Sequence, residues 1–210
     1  MAAAQTYPVR VNATRDISLS RWLWLVKWLL LVPHYLVLLV LWIAFFLLTI
    51  VAFFAILFSG RYPRRIFEFN LGVLRWTWRV GFYSYSALAT DRYPPFTLGP
   101  ASDYPATLEV DYPEHLSRGL VLVKSWLLAL PQYLVVGIFL GGWGHLLGPG
   151  LVGLLVFFAA VALLLRAYYP QSIFDFVMGM NRWAIRVTAY AALMRDEYPP
   201  FRIDLGARER

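Results

Sequence analysis

The feature that most constrains this chain is an apolar stretch from Trp22 to Phe58, 37 residues that include Lys27 and His34 and no acidic residue. A membrane span needs roughly 18 to 20 apolar residues, and the core helix of a water-soluble domain rarely runs so long. Composition agrees: 60% of residues are hydrophobic and 15% are charged. An ordinary soluble domain carries roughly 25% charged residues. Too little polar surface is left to cover a soluble globule, and an all-α integral membrane protein is expected. Residues 1–20 hold Arg10, Arg15 and Asp16 where the apolar core of a cleaved signal would sit, so insertion is expected to rely on internal segments. Cysteine is absent, which removes disulfide and thiolate chemistry. The net charge of +7 sits on basic residues that flank apolar segments among Trp and Tyr. That arrangement suits an anionic lipid surface and argues against nucleic acid as a partner.

The chain is also a duplication. Tyr7-Pro8 recurs as Tyr104-Pro105, Leu19-Ser20-Arg21 as Leu116-Ser117-Arg118, and Pro33-His34-Tyr35-Leu36-Val37 as Pro131-Gln132-Tyr133-Leu134-Val135. Ile66-Phe67-Glu68-Phe69 returns as Ile173-Phe174-Asp175-Phe176, while Gly72, Arg75, Trp76, Arg79 and Val80 return as Gly179, Arg182, Trp183, Arg186 and Val187. The copies close on Asp91-Arg92-Tyr93-Pro94-Pro95-Phe96 and Asp196-Glu197-Tyr198-Pro199-Pro200-Phe201. Two tandem units follow, 1–100 and 101–210.

The second copy gains about nine residues inside its apolar stretch, among them Gly141-Gly142-Trp143-Gly144-His145 and Gly148-Pro149-Gly150. So many helix breakers would destabilise a straight spanning helix by several kcal/mol, whereas a hairpin tip tolerates them. The pattern predicts an apolar helical hairpin in each unit, 20–40 with 42–58 and 117–140 with 151–167. Both ends of each stretch are basic: Arg15, Arg21 and Lys27 against Arg61, Arg64 and Arg65, then Arg118 and Lys124 against Arg166. By the positive-inside rule both ends face the cytoplasm, and a single span would violate the rule. No polar residue marks a tip near Trp42 to Leu48, so a re-entrant first hairpin is the alternative. Pro33 and Pro131 are expected to kink the first helix of each pair, with His34 and Gln132 capping the freed carbonyl. Lys27 and Lys124 are expected to snorkel to the headgroups.

Each hairpin is followed by a predicted third helix, 64–89 and 171–194, mixing aromatic and basic residues and expected to lie in the headgroup plane, buried on one side. Helical spacing puts Glu68, Arg75 and Arg79 on one face, and likewise Asp175, Arg182 and Arg186, with Trp76 and Trp183 beside them. Two readings compete. Arginine forks hold lipid phosphate bidentately, or the charges form an ion-pair network joining the units. Extended pieces at Val9-Arg10-Val11, Thr107-Leu108-Glu109-Val110, Thr97-Leu98 and Arg202-Ile203-Asp204-Leu205 are candidates for a small cytoplasmic sheet. The Tyr-Pro-Pro-Phe tails are expected to fold back and pin the third helix. His115 and His145 stand alone, without metal-ligand spacing. No Gly-x-Ser-x-Gly, Walker or His-Glu-x-x-His motif occurs, so no metal, cofactor or catalytic residue is assigned.

The run Leu57-Phe58-Ser59-Gly60-Arg61-Tyr62-Pro63, the Phe67-Glu68-Phe69 and Leu74-Arg75-Trp76 helix and the closing Asp91-Arg92-Tyr93-Pro94-Pro95-Phe96 together resemble the DUF4389 family of bacterial membrane proteins. The resemblance covers nearly the whole chain and implies a tandem form of a unit with no assigned function, so it brings no catalytic residue. The second copy departs from it, with Arg166-Ala167-Tyr168-Tyr169-Pro170 at the turn. The expected role is a non-enzymatic accessory or scaffold protein of the inner membrane, multi-pass with both termini cytoplasmic. Its expected partners are anionic lipid, another membrane protein or a second copy of the chain. A small transporter with His34 and Gln132 as polar intramembrane groups is the alternative, and a lipid-modifying enzyme stands third.

Overall fold

The computed structural model of the chain describes residues 7–141 and 150–206. Two short strands, β1 (Val9–Ala13) and β2 (Ala106–Val110), alternate inward apolar and outward polar residues and pair antiparallel. Val11 lies opposite Leu108 at the centre of the ladder, and these are the same position in the two copies. Equivalent strands paired in this way place a pseudo-twofold axis at the ribbon's midpoint. The expected pairing of these two segments is therefore present. Residues 97–98 and 202–205 are not strands, because they run along the third helices, where arginines take their carbonyls.

After the short helix α1 (Lys27–Leu30) comes α2 (Val32–Ser59), one unbroken helix of 28 residues where a hairpin of 20–40 with 42–58 was expected. Nothing between Trp42 and Leu48 breaks a helix, and every backbone group there is satisfied within it. The second copy has α4 (Leu130–Leu140) and α5 (Gly150–Arg166), and their 11 and 17 residues together match the length of α2. Their buried positions match as well: Phe45, Ala52 and Ile56 of α2 correspond to Val152, Ala159 and Leu163 of α5. Gly150 begins α5 directly on the end of α4, where a Cβ would meet Gly141 N at 2.3 Å. Thus α4 and α5 do the work of one helix interrupted by the nine-residue gain, and the hairpin tip expected there, with His145, lies outside the described residues. Pro33 and Pro131 stand in the first turn of α2 and α4, where no intrahelical donor is lost, and so they start helices instead of kinking them.

The third helices, α3 (Arg64–Tyr83) and α6 (Gln171–Ala191), are the buried centre of the fold and not one-sided interfacial helices. On α3, Asn70 and Thr77 face α2, bonding Thr49 and Trp42, while Arg75 on the opposite face bonds β2. The result is three layers along the pseudo-axis: the ribbon, then α3 with α6, then α2 with α4 and α5. β2 packs on α3 and β1 on α6, so each unit lends its strand to the other. A cavity of about 170 Å³ lies where equivalents meet, Trp42 with Leu140 and Trp78 with Ile185. Gly72 lets Leu98 cross the face of α3, since a Cβ there would sit 2.8 Å from the Leu98 side chain.

The outer helical layer is left uncovered. Among the described residues one helix, Val32–Ser59, is long and apolar enough to cross a membrane, and only 17% of its most apolar window is buried. Leu39, Val40, Ile43, Phe46 and Phe54 on α2, and Phe157, Phe158 and Leu165 on α5, project outward.

Candidate functional site

Four polar groups inside the protein hold the closing tails. Lys27 is 1% exposed, with Nζ donating to Thr90 O at 2.6 Å, paired to Asp91 at 3.0 Å and lying over the Tyr83 ring. Lys124 repeats this with Arg195 O at 3.0 Å and Asp196 at 2.7 Å. Neither lysine snorkels; each clamps the Asp that opens its tail, a carboxylate that sequence reasoning did not pair with it. His34 and Gln132 are buried and accept from the indole N–H of Trp76 (2.9 Å) and Trp183 (2.6 Å). Gln132 also donates to Pro199 O at 2.7 Å, and His34 stacks on Phe96 at 3.9 Å. They do not cap a Pro-freed carbonyl, because the prolines free none; they join the third helix to the Tyr-Pro-Pro-Phe tail. The tails thus fold back as expected, and Tyr93 donates its hydroxyl to Leu30 O at 2.9 Å.

The arginine constellation is built differently from its expectation. Glu68 is exposed and pairs with Arg64 at 3.1 Å, while Asp175 accepts from Gln171, so neither carboxylate meets the arginines two and three turns on. Both acids stand in the second turns of their helices, well before the arginines that reach the ribbon. Trp76 and Trp183 are buried on His34 and Gln132 and do not face lipid. Arg75 Nε donates to Leu108 O at 2.9 Å and Arg182 Nε to Val11 O at 2.8 Å, so each unit's helix grips the ribbon at its symmetric centre. Arg182 also donates to Asp204 O at 2.6 Å, and burial together with Arg186 brings its pKa down to about 10. Arg186 pairs with the Asp204 carboxylate. Arg79, 2% exposed, donates to the carbonyls of Thr97 and Gly99. Burial lowers its pKa too.

Of the four arginines only Arg75 is half-buried. A cavity of about 330 Å³ opens beside it, lined by Arg75, Arg79, Gly99, Ser102 and Glu109 among others. The remaining sequence candidate, His115, is exposed. Among the described residues no group of three His, Asp or Glu side chains could hold a metal ion.

Against known proteins, the family model described as "Domain of unknown function (DUF4389)" matches residues 21–97 and again 122–202. No curated protein and no solved structure matches the chain.

Proposed function

The chain belongs to the DUF4389 family, and from that premise we propose that it is a non-enzymatic membrane accessory or scaffold protein. Its outer helical layer lies in the bilayer, and its ribbon faces the cytoplasm, where it meets a membrane-protein partner or anionic lipid. The observation that carries this reading is α2, an apolar helix of 28 residues that the protein itself leaves largely uncovered. At 1.5 Å per residue it is about 42 Å long, more than the roughly 30 Å hydrocarbon core.

How that helix meets the bilayer follows from charge. Exposed arginines stand at both ends of the layer: Arg21 before α2, Arg61, Arg64 and Arg65 after it, Arg118 beside Gly60, and Arg166 at the end of α5. A crossing α2 would leave basic clusters on both sides of the membrane, against the positive-inside rule. It would also bring the ribbon, with Arg10, Glu109 and Asp111, alongside the hydrocarbon. A layer immersed from one side avoids both costs: the apolar faces enter the lipid and the arginine rim meets anionic headgroups. The buried ionisable groups support a scaffold over an enzyme, since Lys27, Lys124 and Arg186 are each spent on an internal carboxylate. The axial cavity mixes Trp42, Leu74, Trp78, Leu140 and Ile185 with Thr77, Ser86, Asn181 and Thr188, and the absence of a charged group from this lining, among the described residues, disfavours an ion path.

Flotation of the purified chain with vesicles tests the proposal. Association with phosphatidylglycerol vesicles that weakens on Arg61→Glu with Arg118→Glu, without loss of thermal stability, is expected. A chain that stays monodisperse without detergent and ignores vesicles would contradict it.

A further inference from the structure

The two copies differ at one place in a way that leaves a charge site half-built. Aligned through Asp91 with Asp196 and Phe96 with Phe201, the tail position of Asp204 in the second copy is held by Gly99 in the first. In the second copy the Asp204 carboxylate takes Arg186 and, at 3.1 Å, Arg202. The first copy has the corresponding cation, Arg79, equally buried, and no carboxylate: among the described residues neither Arg75 nor Arg79 forms an ion pair. Arg79 has only the carbonyls of Thr97 and Gly99, and its Nε is buried with no hydrogen-bond partner. A buried guanidinium without a counterion is costly in a fold that supplies one to its twin.

The missing carboxylate leaves open space. The cavity of about 330 Å³ is lined by Gly99 together with Arg75, Arg79, Ser102 and Glu109, and a Cβ on Gly99 would meet nothing but Thr97 Oγ1. Glu109 is already held by Arg10 at 3.2 Å on the exposed face of the ribbon, so the cavity keeps an excess of positive charge.

We propose that this cavity of the first copy binds a phosphate-type oxyanion, which takes the place the Asp204 carboxylate fills in the second. Arg75 spends its Nε on Leu108 O, so its terminal N–H groups are the donors on offer to an anion with several acceptor oxygens, and Arg79, four residues on along the same face and held by the Thr97 and Gly99 carbonyls, adds its charge. Ser102 adds a hydroxyl. The space exceeds a single carboxylate and admits a phosphomonoester with a small substituent. Its source is either a soluble phosphate or the headgroup of a lipid such as phosphatidic acid. The site goes beyond the membrane reading, because it sits against the ribbon and not in the apolar layer.

Thermal unfolding in mild detergent, with and without inorganic phosphate at constant ionic strength, tests it, paired with nanodiscs containing phosphatidic acid or phosphatidylcholine alone. Ligand binding to the folded state raises the midpoint with concentration. A rise with inorganic phosphate assigns a soluble ligand; a rise confined to phosphatidic acid assigns a headgroup. The decisive variant is Gly99→Asp, which copies the second unit. A Cβ at Gly99 meets only Thr97 Oγ1, at 3.4 Å, so the side chain fits. Gly99→Asp is expected to raise the midpoint without ligand and to abolish the ligand response, and Arg75→Gln to weaken binding roughly tenfold, as the loss of one charge-assisted bond does. No response of the wild-type chain in either arm, or a full response retained in Gly99→Asp, would overturn the proposal. Detergent measurements keep this outcome separate from vesicle association.

Discussion

Replacing Lys27 with Met separates an internal clamp from a lipid-facing lysine. Met keeps the unbranched stem but removes the ammonium from Asp91 Oδ1 at 3.0 Å and Thr90 O at 2.6 Å. Breaking a fully buried pair costs about 3 to 5 kcal/mol because the surviving charge is stranded. Asp91 keeps 24% of its side-chain exposure and still accepts from Ser20 N at 2.5 Å, which brings the expected loss to about 2 to 3 kcal/mol. For a chain of this size that lowers Tm by about 5 to 10 °C. Tryptophan fluorescence in detergent follows it. Adding Asp91→Asn removes the stranded carboxylate and should recover at least half the loss, and Lys124→Met should mirror the effect through Asp196. A Tm within about 1 °C of wild type, as a snorkelling lysine would give, would refute the clamp.

His34→Gln should change stability by less than about 1 kcal/mol, because Gln132 already does the same work for Trp183, whereas His34→Leu strands the Trp76 indole N–H and should cost about 1 to 3 kcal/mol. Thermal melts of the two variants distinguish them. Ala167 holds φ at 53° where the first copy has Gly60 at 70°, so Ala167→Gly should raise stability by about 1 kcal/mol in the same melts. The hydrogen bonds from Arg10 hold Asp111 below its ordinary value of 3.8. That stability is present above the ordinary value and is lost as pH falls through the depressed one. Asp111→Asn should therefore flatten the fall in Tm between about pH 5 and 2, as a pH series of melts would record.

Much of the fold was legible in sequence because duplication exposes itself: the matched strands, the third helices and the folded-back tails all recur in register. The single helix α2 was not, because the extra residues of the second copy pointed to a hairpin tip and an unbroken apolar run does not say whether it turns back or runs on. Only the matched burial of Phe45 with Val152 and Ile56 with Leu163 separates the two. Equal spacing placed the arginines on one face but could not say which way that face points, and it points to the ribbon. The lysine clamps were hidden because Lys27 and Asp91 are distant in sequence, and periodicity carries no such information. The difference between Gly99 and Asp204 was visible in the aligned tails and gained meaning only once Arg186 was seen on Asp204.

Single-sided immersion of the outer layer is tested most directly by single cysteines, which the cysteine-free chain allows without background. Ile17, 98% exposed before α2, and Ser59, exposed at its end, would each be replaced by Cys and treated with a membrane-impermeant maleimide in right-side-out and in inverted vesicles. Labelling of both positions in inverted vesicles, and of neither in right-side-out ones, is the predicted result. Labelling of Ile17→Cys and Ser59→Cys from opposite sides would mean that α2 crosses the membrane and would contradict the account.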